Sequence, residues 1–137
     1  MLNYASQNDF LLSDEEEVSL WIKNVVNEEE FELGDLSYVF CSDDFLHKMN
    51  LEYLDHDTLT DIITFDYRQG KLINGEIYIS TDRVEENATK YRVSFEDELH
   101  RVMIHGVLHI CGYNDLTESE QKQMRSKENW ALSLREF

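Results

Sequence analysis

The stretch "HGVLHICGYND", residues 105–115, contains the two histidines that lie closest together in the chain. His105 and His109 are four residues apart, so on a helix they share one face about one turn apart. The same spacing occurs in the zinc peptidase motif H-E-x-x-H. Here Gly106 takes the place of the glutamate that acts as general base in that motif. The stretch therefore indicates a metal site but not a conventional zinc peptidase.

The surrounding residues favour a metal site over two unrelated helix histidines, one packed and one solvated. Valine and leucine lie between the histidines on a helix that reads as largely buried, where a neutral imidazole needs a partner. The chain can reverse at Gly112, and Asp115 follows six residues after His109. Two imidazoles and one carboxylate suit zinc with an open fourth position, where the pKa of bound water falls to about 7. We therefore predict one zinc ion per chain at His105, His109 and Asp115, although the same ligands also suit a more oxygen-loving divalent ion.

The two cysteines, Cys41 and Cys111, do not form a close pair, and we expect both to be buried and reduced. Cys111 could in principle be a soft metal ligand. Because it lies two residues after His109, however, it should point away from the histidine face of the helix.

Outward from the histidines, the pattern predicts an α+β fold: a small mixed sheet covered by helices, with the metal site on a helix of the C-terminal half and the loop after it. Ser94 with Asp97, and Thr117 with Glu120, predict the starts of the last two helices, and Gly112 predicts the end of the first of these. Gly106 costs a helix roughly 1 kcal/mol relative to alanine, which indicates a close backbone approach. The remaining predicted elements are an edge strand at "LNYAS", a helix over about 14–30 capped by Ser13, a strand over 36–41, a short helix starting after Ser42, strands over 61–67 and 75–80, and a helix over 82–91.

The composition limits the classes of partner. The net charge is −17, from 12 basic and 29 acidic residues in 137, and this argues against binding to naked nucleic acid, which usually requires surplus lysine and arginine. No apolar run approaches the roughly 20 residues of a membrane span, and the first residues lack a secretory signal pattern. We expect a cytoplasmic protein with no membrane association and no dinucleotide cofactor.

Two blocks of the sequence resemble the YbeY family of bacterial rRNA maturation endoribonucleases. The family signature H-G-x-L-H-x-x-G-Y-D-H is similar to residues 105–115, and the family block N-x-x-Y-R-x-x-D-x-P-T-D-V-L-S-F is similar to "NLEYLDHDTLTDIITF", residues 50–65. The strand "GEIYIS" and the approach "EDELHRVMIHG" also match in order and spacing. The likeness extends from about residue 36 to residue 131.

The resemblance implies one YbeY-like metal-dependent hydrolase domain over residues 1–137, with one zinc held by three side chains. It also implies a single-strand-specific endoribonuclease that acts in small-subunit (16S) rRNA 3′-end maturation and ribosome quality control. His105 and His109 match the first two family ligands, and Asp115 stands where the family has a third histidine. The expected partner is the small ribosomal subunit or its rRNA, met through ribosomal proteins if the acidic charge prevents direct contact.

Other departures from the family pattern bear on catalysis. The family arginine, a candidate for phosphate contact, falls at Leu54, and the family proline falls at Leu59. Thr60 and Asp61 are retained, and Asp61 either orients a ligand histidine or only starts a strand. Tyr113 either stacks on a base or packs beside the metal loop. We expect the remaining histidines to be surface residues rather than ligands: His47, His56 and His100.

Three functions remain open from the sequence. The first is a metal-dependent endoribonuclease acting on rRNA in the ribosome. The second is a non-catalytic ribosome assembly factor that keeps the metal for stability, which Leu54 and the charge of −17 favour. The third is a metal-dependent peptidase or other small hydrolase, against which the missing motif glutamate weighs.

Overall fold

A computed structural model describes residues 1–137, and its centre is a four-stranded sheet. The strands lie in the order β1-β2-β4-β3, with β1, β2 and β4 parallel and β3 antiparallel to β4. The elements along the chain are β1 (Leu2–Ser6), α1 (Glu15–Glu28), β2 (Glu32–Cys41), α2 (Asp43–Leu54), β3 (Ile62–Asp66), β4 (Leu72–Ser80), α3 (Thr81–Tyr91), α4 (Phe95–Ile110) and α5 (Glu118–Ser133). The predicted α+β class, the element order and the edge strand at the N-terminus are confirmed.

Helices cover both faces of the sheet. On one face, α1 and α4 pack against a core of 22 buried residues that includes Tyr38 and Ile77 of the two central strands. The phenol of Tyr38 donates a hydrogen bond to the carbonyl oxygen of Met103 at 2.9 Å, which ties the sheet to α4. On the other face, α2 covers a smaller cluster of Cys41, Leu46 and Ile63. Because successive strand residues point to opposite faces, one sheet supplies both layers of core.

Local signals located the helix ends correctly in three helices. The side chains of Ser42, Ser94 and Thr117 each accept a hydrogen bond from the backbone N–H three residues later. Thr117 forms a full capping box with Glu120. Gly112 follows the last residues of α4 and has a φ of 109°, a conformation that glycine adopts without strain.

The predicted cap of α1 was wrong. The helix begins at Glu15, and the residue before it is Asp14, which has a φ of 59° and makes no side-chain capping bond. Three glutamates in the first turn supply the negative charge that the positive end of the helix dipole favours. Charge therefore replaces the side-chain cap that Ser13 was expected to provide.

Two strands are longer than predicted. β2 starts at Glu32 and β4 at Leu72, and their pairing shifts register between Leu33 and Leu36, around Gly34. A glycine and an irregular register interrupt the alternation on which the strand pattern depends, so the first residues of the two strands, 32–35 and 72–74, were not recognised.

No helix of the structure combines the length and the apolar character that crossing a bilayer requires.

Candidate metal centre

The two histidines of α4 and one carboxylate converge at the end of this helix. The Nε2 atoms of His105 and His109 each lie 3.3 Å from Oδ2 of Asp115. The two imidazole rings are nearly perpendicular, with centroids 4.7 Å apart. One donor atom from each of the three residues lies within 4.8 Å of the other two. The predicted set of three residues is therefore brought together in space.

The loop between α4 and α5 returns Asp115 to the histidine face. The backbone N–H of Gly112 donates to His109, and that of Tyr113 donates to Leu108, which closes the helix and reverses the chain. The amide of Gln121 donates to the carbonyl oxygen of Asp115 at 3.1 Å. Asp115 thus lies on a short connection that is fixed at both ends. The hydrogen bonds that close α4 fix its first end, and the capping box of α5 fixes its second end.

Gly106 allows α4 to lie against the sheet. A Cβ atom at this position would be 2.8 Å from Cδ1 of Ile77 and 3.1 Å from Cδ1 of Ile62. The close approach expected from the sequence is therefore between helix and sheet. Since position 106 faces the sheet, a glutamate there would point into the core and not toward the histidines.

Glu128 of α5 is a member of the site that the sequence analysis missed. Its Oε2 accepts a hydrogen bond from Nδ1 of His105 at 2.6 Å, and its Oε1 accepts one from Arg101 at 2.9 Å. The residue is only 6% exposed. A signal was present, because Glu128 lies four residues after Met124 and three before Ala131, on the buried stripe of α5. A charged residue on such a stripe requires a partner.

These contacts shift the pKa values of the groups concerned. Burial lowers the pKa of His105, but the hydrogen bond and charge of Glu128 and the charge of Asp115 outweigh burial and raise it. Burial raises the pKa of Glu128, yet the hydrogen bonds from His105 and Arg101 lower it below its usual value. Burial raises the pKa of Asp61, and His105 opposes this only in part.

The three donors line a cleft with a volume of about 770 Å³. Its cations are Arg101, which is bound to Glu128 and Asn129, and Arg125, whose side chain is 56% exposed.

The cleft is also lined by Glu98, which is 6% exposed, and burial raises the pKa of its carboxyl group. Leu54 and Tyr91 contribute exposed apolar and aromatic surface. The cleft therefore combines metal donors, carboxylates and one accessible guanidinium.

Thr60 and Asp61 both line this cleft, but neither hydrogen-bonds a histidine. The hydroxyl of Thr60 donates to the carbonyl oxygen of Ile62, and the carbonyl of Asp61 accepts from the backbone N–H of Ser80. The hydrogen bonds of Asp61 are those of a residue that starts a strand, and the partner of His105 is Glu128 instead.

Tyr113 lies outside the cleft lining and packs against the main core. The ammonium of Lys127 is 5.4 Å from the centre of its ring and forms an ion pair with Glu29 at 2.9 Å. Of the two roles left open for Tyr113, the structure places it in the packing role.

Among the other histidines, the prediction of a surface position was wrong for His100. This residue is 6% exposed, between the rings of Trp21 and Phe137, and its Nδ1 accepts a hydrogen bond from Arg135 at 2.8 Å. A signal was present in the sequence, because Met103, Ile104 and Val107 follow His100 by three, four and seven residues and form the buried stripe of α4. Cys111 is buried in the main core, away from the donor group.

The donor set fits a divalent metal ion. Two imidazole nitrogens and one carboxylate oxygen form a set that binds zinc in catalytic sites, where three protein ligands leave a further position open. All three side chains are partly exposed toward the cleft, so an ion has a path to them.

The chain is similar to proteins of one family over almost its whole length. The model of the family described as Endoribonuclease YbeY matches residues 3–135. A protein named endoribonuclease YbeY from Christiangramia forsetii is 50% identical over 133 residues, which are 97% of this chain and 93% of that protein. A protein of the same name from Amoebophilus asiaticus is 55% identical over 127 residues, 92% of this chain and 86% of that protein. The solution structure of a Thermotoga maritima protein matches with a TM-score of 0.71 and 26% identity, over 98% of this chain and 88% of that one.

Proposed function

The chain belongs to the endoribonuclease YbeY family, and from this premise we propose a metal-dependent, single-strand-specific endoribonuclease that matures the 3′ end of small-subunit (16S) rRNA and contributes to ribosome quality control. The observation that carries the proposal is the convergence of His105, His109 and Asp115 in a cleft of about 770 Å³. The cleft is open to solvent on the side of the donors, so an extended strand can reach them.

His105, His109 and Asp115 would hold the ion, for which zinc is the proposed identity because two of the three donors are imidazoles. When bound, the ion supplies Lewis acidity toward a phosphodiester oxygen and lowers the pKa of a coordinated water. Arg125 offers a guanidinium that can bind a phosphate oxygen. Asp61 and Glu98 line the same cleft, and the raised pKa values of their carboxyl groups suit them to accept or hold a proton.

Two features of the cleft support a single strand as the substrate. Tyr91 is 52% exposed at the lining and offers a ring on which an unpaired base can stack. The net charge of −17 repels a duplex, which presents more phosphates to the surface than a single strand does.

The same charge supports a protein-mediated encounter with the substrate. We propose that the chain works in the cytoplasm on the small ribosomal subunit, where basic ribosomal proteins can attract an acidic surface and bring the cleft to the rRNA.

The test compares cleavage of precursor 16S rRNA in small subunits with cleavage of the same RNA free in solution. Zinc-loaded wild type should cut the precursor near its 3′ end, faster on the subunit than on free RNA. His109→Ala should lose this activity, whereas His56→Ala, a change to an exposed histidine outside the donor group, should keep it. Uncut precursor in both forms, with one zinc bound per chain, would contradict the proposal.

A non-catalytic assembly factor is the second candidate, because Leu54 presents an apolar side chain, 44% exposed, to the cleft where the family pattern has an arginine. Under that alternative, His105→Ala would leave function in cells intact as long as folding and subunit binding are retained. Loss of function with intact folding and binding would instead support the nuclease.

A further inference from the structure

A buried carboxylate on α5 makes the shortest polar contact of any group in the candidate metal centre. We propose that Glu128, itself held by Arg101, is a positioning residue that fixes His105 as a metal ligand through its Nε2 atom. This inference rests on the metal site of the proposed function and adds to it the means by which that site is oriented.

The direction of the hydrogen bond follows from the chemistry of the partners. The guanidinium of Arg101 can only donate hydrogen bonds, and its Nη1 donates one to Oε1 of Glu128 at 2.9 Å. A carboxylate in an ion pair with a guanidinium only accepts, so Nδ1 of His105 must be the donor toward Oε2 at 2.6 Å. In the neutral ring, which is the form that binds a metal ion, the Nε2 atom of His105 then carries the lone pair, and it is this atom that lies 3.3 Å from Asp115.

The arrangement is rigid because each partner is anchored in turn. Glu128 is 6% exposed, so water cannot readily replace its two donors. Arg101 also donates from Nη2 to the side chain of Asn129 at 2.8 Å, so the guanidinium spans from α4 to two successive residues of α5. The ring of His105 is therefore oriented by the packing of two helices rather than by its own rotamer preference.

The second histidine ligand lacks such a partner. His109 makes no hydrogen bond through Nδ1, and its one polar contact is with Asp115 through Nε2. Its side chain is 30% exposed, compared with 20% for His105. The two imidazoles are therefore unequal: His105 is oriented before an ion arrives, and His109 is the adjustable ligand nearer the solvent.

The variant Glu128→Gln tests this assignment. A neutral amide has one acceptor oxygen, whereas Glu128 accepts from two donors. If the amide oxygen faces Arg101, its NH₂ group faces Nδ1 and favours the tautomer with a proton on Nε2; if the oxygen faces His105, the NH₂ group opposes the guanidinium. Both orientations weaken the site, and loss of a partner of this kind lowers metal affinity by about 10- to 100-fold.

The measurement is the dissociation constant of zinc, obtained by competition with a chelator, together with thermal unfolding of the metal-free proteins. The matched control is Glu118→Gln on the same helix, whose side chain is 86% exposed, and it should bind zinc like the wild type. Arg101→Gln should weaken zinc binding in the same direction by a smaller factor. Affinity of folded Glu128→Gln within about twofold of wild type would overturn the proposal.

A second measurement needs no variant. The ¹⁵N spectrum of the zinc-loaded wild type should show a proton on Nδ1 of His105 and none on Nε2. A proton on Nε2, or zinc on Nδ1, would overturn the proposal even if Glu128→Gln failed to fold. Both readouts are independent of nuclease activity, so an inactive protein with the expected zinc affinities and tautomer would refute the proposed function and leave this inference standing.

Discussion

At the edge of the cleft, Arg125 is the cation that no hydrogen bond engages, since its nearest carboxylate oxygen, on Glu128, is 3.9 Å away. We expect Arg125→Gln to weaken binding of a single-stranded RNA oligonucleotide by about tenfold or more, because a charge-assisted hydrogen bond contributes roughly 1.5–3 kcal/mol. The dissociation constant and the KM for cleavage report this change directly.

The control for this prediction is Lys122→Gln, which removes the same charge from the same helix at a position that is 78% exposed and outside the cleft. It should weaken RNA binding less. Because salt screens the attraction between an exposed charge and RNA, this effect should also shrink as the salt concentration rises. Equal effects of the two substitutions would mean that Arg125 acts through net charge alone.

We expect His100 to make the free energy of unfolding depend on pH. Burial, reinforced by the charge of Arg135, lowers the pKa of His100 to about 4 in the folded protein. In the unfolded chain the pKa is about 6.5, so between these values the unfolded state binds the extra proton. The contribution is complete above about pH 6.5, and on the order of 2 kcal/mol is lost as the pH falls from there toward 4.

The measurement is the free energy of unfolding at several pH values, compared with His100→Gln, which stays neutral and retains an acceptor for Arg135. The difference between the two proteins should shrink as the pH falls from 7 to 4.5. Parallel curves would show that His100 does not titrate in this way.

At the residue scale, the sequence predicts what is local. His105, His109 and Asp115 lie within eleven consecutive positions, so helix periodicity and one glycine turn were sufficient to group them. Glu128 and Arg101 meet across two helices, and the pairing depends on how those helices pack. His100 is buried by Trp21 and Phe137, which come from distant parts of the chain.

At the scale of the element, α4 lies directly against the sheet, and Gly106 is the residue that permits this approach. In Gly106→Ala the new methyl group would meet Ile77 at 2.8 Å and 3.2 Å. Overpacking costs about 1–3 kcal/mol and the gain in helix propensity offsets about 1, so we expect a net loss of roughly 1 kcal/mol. Chemical denaturation measures this loss.

A double-mutant cycle locates the cause of that loss. Ile77→Val removes the Cδ1 atom at 2.8 Å and on its own costs roughly 0.5–1.5 kcal/mol. Combined with Gly106→Ala it should cost less than the sum of the two changes. Strict additivity would indicate that the methyl group at position 106 does not contact Ile77.

The sequence predicted elements best where the end of a helix has its own side-chain signal, as at Ser94 and Thr117. It failed at Asp14, whose left-handed backbone leaves no capping pattern, and at the start of β2, where Gly34 interrupts the alternation. Strand order and direction were not predictable, because pairing between distant strands depends on the arrangement of the whole sheet.

At the scale of the whole molecule, a bound ion would link α4, the following loop and, through Glu128, α5. A ligand that binds only the folded state stabilises it by about 2.7 kcal/mol at a concentration one hundred times its dissociation constant, which for a chain of this size raises Tm by on the order of 10 °C. We expect this rise on adding zinc to metal-free protein.

Asp115→Ala should bind less than one zinc per chain and show little of this rise, while its metal-free Tm stays close to that of the wild type, because Asp115 is partly exposed. Metal analysis and thermal unfolding of the two proteins provide the comparison. A full rise in the variant would remove Asp115 from the ligand set.

The position of Asp115 also has an evolutionary consequence. Two of the candidate ligands are fixed in a helix packed against the sheet, where few substitutions are tolerated, but the third candidate lies on the connection between α4 and α5. Loops accept exchange more readily than the elements they join. One codon change there can alter the charge and softness of the donor set while the core stays intact. The metal preference that we propose for this site can therefore change without the fold having to change.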